Sequence, residues 1–183
     1  MTNKSSFKSC FCAKAGFTLI ELLVVVLIIG VLAAVAVPQY QLAVDKARLD
    51  NLLSMVNAVK KAQEVYSLEN GSYTSDWNAL ALYFPGTVNG KKITSEEGWT
   101  LELIKDTDST GSANAVIATD SFLPNVQIVN FYRNGNVWNE HLACFAPVSN
   151  VRANRLCKSA TGVSVRDQTS GSGNNQYSVY FFN

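Results

Sequence analysis

A chain of 183 residues, 48 % of them hydrophobic, has room for one small globular domain beside a membrane segment, not two. Its 15 basic and 14 acidic residues give no electrostatic case for wholesale nucleic-acid binding. A single histidine, His141, argues against a zinc site or Ser-His-Asp machinery.

Residues 1–16 form a short polar leader with Lys4, Lys8 and Lys14 and the cysteines Cys10 and Cys12. It ends at Gly16, where the sequence turns abruptly apolar. From Phe17 to Val37 the only ionisable side chain is Glu21. At about 1.5 Å per residue this run is about 31 Å long as a helix, enough to cross a bilayer. A carboxylate near the start of such a span must be hydrated, neutralised or paired, so Glu21 calls for a partner. A secretory signal peptide places its cleavage site after the apolar region, whereas here the sharp boundary comes before it. Cutting after Gly16 leaves the apolar helix on the mature protein.

Lys14-Ala15-Gly16 followed by Phe17-Thr18-Leu19-Ile20-Glu21-Leu22 resembles the processing site of type IV prepilins and type II secretion pseudopilins, with detailed likeness from Lys14 to about Tyr40. The resemblance implies that a prepilin peptidase cuts between Gly16 and Phe17 and methylates the new Phe17 amine. It also implies that Glu21 pairs with the Phe17 amine of a neighbouring subunit during assembly. Charge physics agrees, because in a dry filament core two lone charges are costly and a pair is tolerable. Removing the leader takes the basic residues from 15 to 12 against 14 acids, a mature balance of about −2. The three lysines before the span place the N-terminus in the cytoplasm and the chain after Pro38 outside.

The helical pattern continues beyond Pro38. Leu42, Leu49, Leu52, Val56, Val59 and Tyr66 recur at three-to-four spacing, interleaved with Lys46, Asp50, Lys60, Lys61 and Glu64. One helix is therefore expected from about Phe17 to Glu69, with residues 17–37 as membrane or filament-core half and 38–70 as amphipathic continuation. Gly71 supplies a left-handed cap. Gly30 and Pro38 mark the weakest part, and by resemblance to filaments of the family they form a pliable joint. An all-apolar span outside a membrane must be covered by copies of itself, the strongest argument from the residues for assembly.

Residues 71–183 form the head. From Ser72 to Lys92 a loop is expected, with a short helix near Asp76 to Leu82 and turns at Pro85-Gly86 and Asn89-Gly90. Trp99 to Ile104 alternates as a half-buried strand, and Ala115 to Thr119 is a weaker candidate. Val126–Tyr132 and Val137–Phe145 flank Arg133-Asn134-Gly135-Asn136 as an antiparallel hairpin with a type I′ turn. Tyr177 to Phe182, after a flexible Ser170–Asn175 loop, is a last strand docking Tyr177, Val179 and Phe181 on the core. Cys144 and Cys157, on the exported side where oxidation is permitted, are either bridged or two unpaired buried thiols. Their position resembles the C-terminal disulfide loop of type IV pilins, and a bridge would constrain the unfolded chain by roughly 3 kcal/mol.

The segment from Asp106 to Gly111 echoes a calcium loop, but its twelfth position is Ile117 where a bidentate Glu is needed. A solvated turn is the expectation. The Lys60-Lys61 and Lys91-Lys92 pairs are too short to argue for DNA. No catalytic residue, metal site, cofactor motif or enzyme is identified. The expected fold is α+β and pilin-like, a long N-terminal helix packed on a small antiparallel sheet. The expected function is a structural subunit of a type IV pilus-like filament. The alternatives are a pseudopilin of a type II secretion or DNA-uptake system, or a membrane-anchored minor pilin or adhesin. Expected partners are copies of itself and related pilins, the prepilin peptidase, inner-membrane assembly machinery and the bilayer before assembly, with nucleic acid only for a DNA-uptake pilin. The inner membrane, and then an extracellular pilus or periplasmic pseudopilus, is the expected location.

Overall fold

The computed structural model describes residues 16–105, 114–132, 140–163, 168–170 and 176–182. Helix α1, Leu19–Asn70, has Pro38 inside it. The chain divides into two compact units, Met1–Tyr40 and Gln41–Asn183.

In the first unit every described side chain from residue 16 to residue 40 is exposed. Pro38 lacks the N–H that would reach the carbonyl of Ala34, yet its fixed φ suits a helix and α1 continues through it.

In the second unit the same helix acquires a buried seam of Asp45, Leu49, Leu52, Val56, Val59 and Gln63, spaced alternately by four and three residues. Leu42 and Tyr66 flank it, half-buried against the core. α1 ends where Gly71, at φ 74°, donates its N–H to the Ser67 carbonyl at 2.9 Å, the left-handed cap its sequence predicts.

The head carries a 3-10 turn at Trp77–Ala79, capped by the Asp76 side chain. Its strands are β1 Thr87–Asn89, β2 Lys92–Thr94, β3 Trp99–Ile104, β4 Ala115–Asp120, β5 Gln127–Phe131, β6 Leu142–Pro147, β7 Gln168–Ser170 and β8 Tyr177–Phe181, with helix α2, Val151–Thr161, between β6 and β7. They form one antiparallel sheet in the order β1-β2-β3-β4-β5-β6-β8-β7. One face contributes Trp99, Leu101, Leu103, Ala118, Ile128, Cys144 and Tyr180 to one core with Leu49, Leu52, Val56 and Val59 of the α1 seam and Leu156 and Cys157 of α2.

Several expectations change. The Asn89-Gly90 turn lies in a true hairpin, with Val88 opposite Ile93 and Gly90 at φ 58°, where a loop was expected. The β5–β6 hairpin pairs Asn130 with Leu142, and Phe131 donates to the His141 carbonyl at 2.9 Å. Its second strand runs Leu142–Pro147, two residues past the expected end at Phe145, whereas the start expected at Val137, the type I′ turn, the leader up to Ala15 and the calcium-like segment Asp106–Gly111 lie outside the described residues. The predicted inward face of β8 is reversed. Tyr180 enters the core and its hydroxyl donates to Asn154 Oδ1 at 2.7 Å, whereas Tyr177 and Phe181 lie on the other face against Phe145 and His141. A strand with apolar residues at every position but Ser178 has no alternation to declare its inside.

Candidate assembly and processing site

The start of α1 is built by two residues three apart. Thr18 precedes the first helical residue and Glu21 occupies the third position. Glu21 Oε2 accepts from the Thr18 N–H at 3.0 Å and from its hydroxyl at 2.8 Å, while the Glu21 N–H donates to Thr18 Oγ1 at 3.2 Å. This reciprocal capping box satisfies donors that a helix start leaves orphaned, and it places an acid where the helix dipole favours one. The T-x-x-E signature is visible in the sequence beside the apolar run, where the lone charge of Glu21 masks its capping role. Both Thr18 donors go to one carboxylate oxygen, so Oε1 carries no hydrogen bond among the described residues.

Just upstream, Gly16 and Phe17 are non-helical and exposed. A Cβ built on Gly16 would meet nothing within 4 Å. Downstream, Leu19 is 88 % exposed and Leu32 64 %. α1 is the one helix among the described residues long and apolar enough to cross a membrane. Gly30 and Pro38 both lie inside it, and a Cβ on Gly30 would also meet nothing within 4 Å.

The cysteines sit in the second unit. Cys144 of β6 and Cys157 of α2 form a disulfide with Cα atoms 5.6 Å apart, so the bridge joins a strand to a helix where an irregular segment was expected. Signals for α2 are present in the sequence. Asn150 caps its start by accepting from the Ala153 N–H, and Gly162 ends it at φ 75°. Its weak point as a sequence signal is the charged run of Arg152, Arg155 and Lys158, which dilutes the apolar stripe of Ala153, Leu156 and Cys157.

Two polar residues of the α1 seam were also missed. Asp45, 4 % exposed, receives a bidentate pair from Arg152 of α2, at 3.0 Å from Nε and 2.9 Å from NH2. Gln63, fully buried, donates to the Thr74 carbonyl at 2.7 Å and accepts from the Thr74 N–H at 3.0 Å. Arg48, one turn from Asp45, pairs with Asp120 at 3.3 Å and lies 4.4 Å over the Phe122 ring.

The His141 ring lies 5.0 Å from that of Phe181, tilted by 51°, and among the described residues no group of three His, Cys, Asp or Glu is placed to hold a metal ion. Burial pushes the Tyr132 phenol far above its ordinary range, with Tyr73 as a lesser cause.

Known proteins place this geometry. The family described as "Prokaryotic N-terminal methylation motif" matches residues 12–37, the stretch that carries the capping box and the apolar span. A fimbrial protein of Pseudomonas aeruginosa is 33 % identical over 132 residues, 69 % of this chain and 84 % of the relative. The chain belongs to the type IV pilin and pseudopilin family. Fimbrial protein EcpC of Eikenella corrodens is 39 % identical over 80 residues, 44 % of this chain and 51 % of the relative. Type II secretion system core protein G of Pseudomonas aeruginosa is 40 % identical over 67 residues, 37 % of this chain and 47 % of the relative. The chain thus spans about half the length of these last two. No solved structure matches. For a member of this family, a long helix with a bare apolar start and a head built on its distal half is the pilin-like α+β arrangement that the sequence predicts.

Proposed function

We propose that the chain is a structural subunit of a type IV pilus-like filament, cut between Gly16 and Phe17 by a prepilin peptidase, N-methylated on Phe17, and polymerised through the first half of α1. The observation that carries this reading is the exposed apolar stretch from Phe17 to Val37, broken by a single acid held in a capping box. Its side chains are at home in lipid before assembly and among other copies of the same helix afterwards. Association then removes from water the apolar surface that one subunit leaves bare.

Glu21 supplies register. Its capped Oε2 fixes the carboxylate at the helix start, and Oε1 accepts no hydrogen bond among the described residues. Cleavage creates a cationic amine on Phe17, which a neighbouring subunit can bring to that oxygen. An ion pair out of water is weak as glue but strict about geometry, because a misplaced neighbour leaves two charges unpaired. Gly30 and Pro38 serve as the pliable joint of α1, one lacking a Cβ and the other lacking a donor.

Other pilins, the peptidase and inner-membrane assembly machinery are the partners in this reading. The subunit waits in the inner membrane with its N-terminus in the cytoplasm and ends in a surface filament. The similarity to a type II secretion core protein favours a periplasmic pseudopilus as the second reading, and a nucleic-acid partner belongs only to a DNA-uptake role. Glu21→Ala tests the proposal. The variant should insert and be processed yet yield no sheared filaments by electron microscopy. Filaments at the wild-type level, or a surface form still carrying residues 1–16 by mass spectrometry, would overturn it.

A further inference from the structure

The face of the sheet turned away from α1 carries a polar trough at one end. Thr100 of β3 stands opposite Thr119 of β4, Thr119 opposite Gln127 of β5, and Pro147 of β6 opposite Tyr177 of β8. These side chains, with Lys92 at one end, line a cavity of about 500 Å³, within the size range of small-ligand clefts. Across its floor the two threonine hydroxyls share one hydrogen bond and keep acceptor capacity to spare. The half-buried Gln127 amide makes no hydrogen bond among the described residues, so a donor pair and an acceptor point at the cavity unused. The Tyr177 ring forms a wall, with the Phe145 ring 6.4 Å away at 64°. Its hydroxyl is likewise unspent.

The chemistry of this lining narrows its occupant. The lining holds two charged groups, Asp120, which Arg48 pairs at 3.3 Å, and Lys92, whose single ammonium does not attract a polyanion. No cluster of metal-ligating side chains stands here among the described residues, and a floor of amide and hydroxyls would be left unsatisfied under an apolar guest. What fits is a neutral ring that offers hydroxyls, each both donor and acceptor, on its rim and C–H bonds on its face for Tyr177.

We propose that this trough is a carbohydrate site that takes one neutral sugar ring of an oligosaccharide. The site lies within Gln41–Asn183 and stands or falls independently of polymerisation.

The test uses the full-length, unassembled protein in phosphocholine micelles, because glycoside detergents carry a sugar that would compete. Saturation-transfer NMR is run with lactose, maltose and chitobiose, and with N-acetyl-triglycine amide as a neutral non-sugar rival. At least one disaccharide should receive saturation. Its affinity should fall about tenfold in Gln127→Ala and in Tyr177→Ala, and less in Tyr177→Phe, which keeps the ring. Lys158→Ala, far along α2, should bind as wild type, and all four variants should show cooperative near-ultraviolet melting. Transfer to none of the three sugars, equal transfer to the tripeptide amide, or binding retained by both Gln127→Ala and Tyr177→Ala in folded protein would each overturn the proposal.

Discussion

The two halves of α1 belong to one continuous helix and have opposite fates. Between Leu19 and Tyr40 the apolar side chains go all round the helix and every one is exposed. From Gln41 onward a buried seam forms, and Leu49, Leu52, Val56 and Val59 are fully buried beneath the sheet, while Val65 and Leu68 stay exposed. The polar residues divide in the same sense. Glu21, in the bare half, is held by its own helix start, whereas Asp45 and Gln63, in the covered half, are satisfied by α2 and by the Thr74 backbone. A helix without a partner looks after its polar groups locally; a helix with one hands them to the rest of the fold.

The sharpest way to break this contrast is to truncate one leucine in each half. Leu52→Ala should lower the stability of the head by about 3 kcal/mol in denaturant unfolding followed by near-ultraviolet circular dichroism. Leu27→Ala should leave that transition within about 0.5 kcal/mol of wild type. Equal losses would mean the halves do not differ as described. Gln63→Ala comes next. It strands the N–H and carbonyl of Thr74 in the interior and should cost about 2 kcal/mol by the same measurement. Asp45→Ala should cost about 1 kcal/mol, because Arg152, its side chain 55 % exposed, can still turn to water. A double-mutant cycle with Arg152→Ala measures the coupling directly. The smallest change has the opposite sign. Tyr132 buries a hydroxyl that has no hydrogen-bond partner among the described residues, so Tyr132→Phe should be neutral or stabilise the head by up to about 1 kcal/mol.

Tyr132 also sets a pH limit. Its phenol titrates higher in the folded head than in the unfolded chain, so its contribution is intact below the ordinary tyrosine range and is lost as pH rises through it. Tyr132→Phe should flatten the alkaline fall in stability.

Much of this was legible in the residues because periodicity announces it. The 3.5-residue seam of α1, the alternation of Trp99 to Ile104 and the Gly71 cap all survive into the structure. The seam's polar members escaped because a search for apolar spacing passes over Asp45 and Gln63, although both fall in register with their neighbours. β1, β2 and β7, three residues each, are too short to show a period. At the candidate assembly site the residues were legible from the prepilin-like motif, but the role of Thr18 was not, since attention to Glu21 as an unpaired charge hid its use as a cap.

The sulfur bridge has a consequence for the order of events. Cys144 and Cys157 are both wholly shielded from solvent, one under α2 and the other on its underside. Thiol exchange needs a nucleophile to reach sulfur, so a small reductant finds no approach while the head is closed. Oxidation must therefore happen while the head is still open, and folding then locks the door from within.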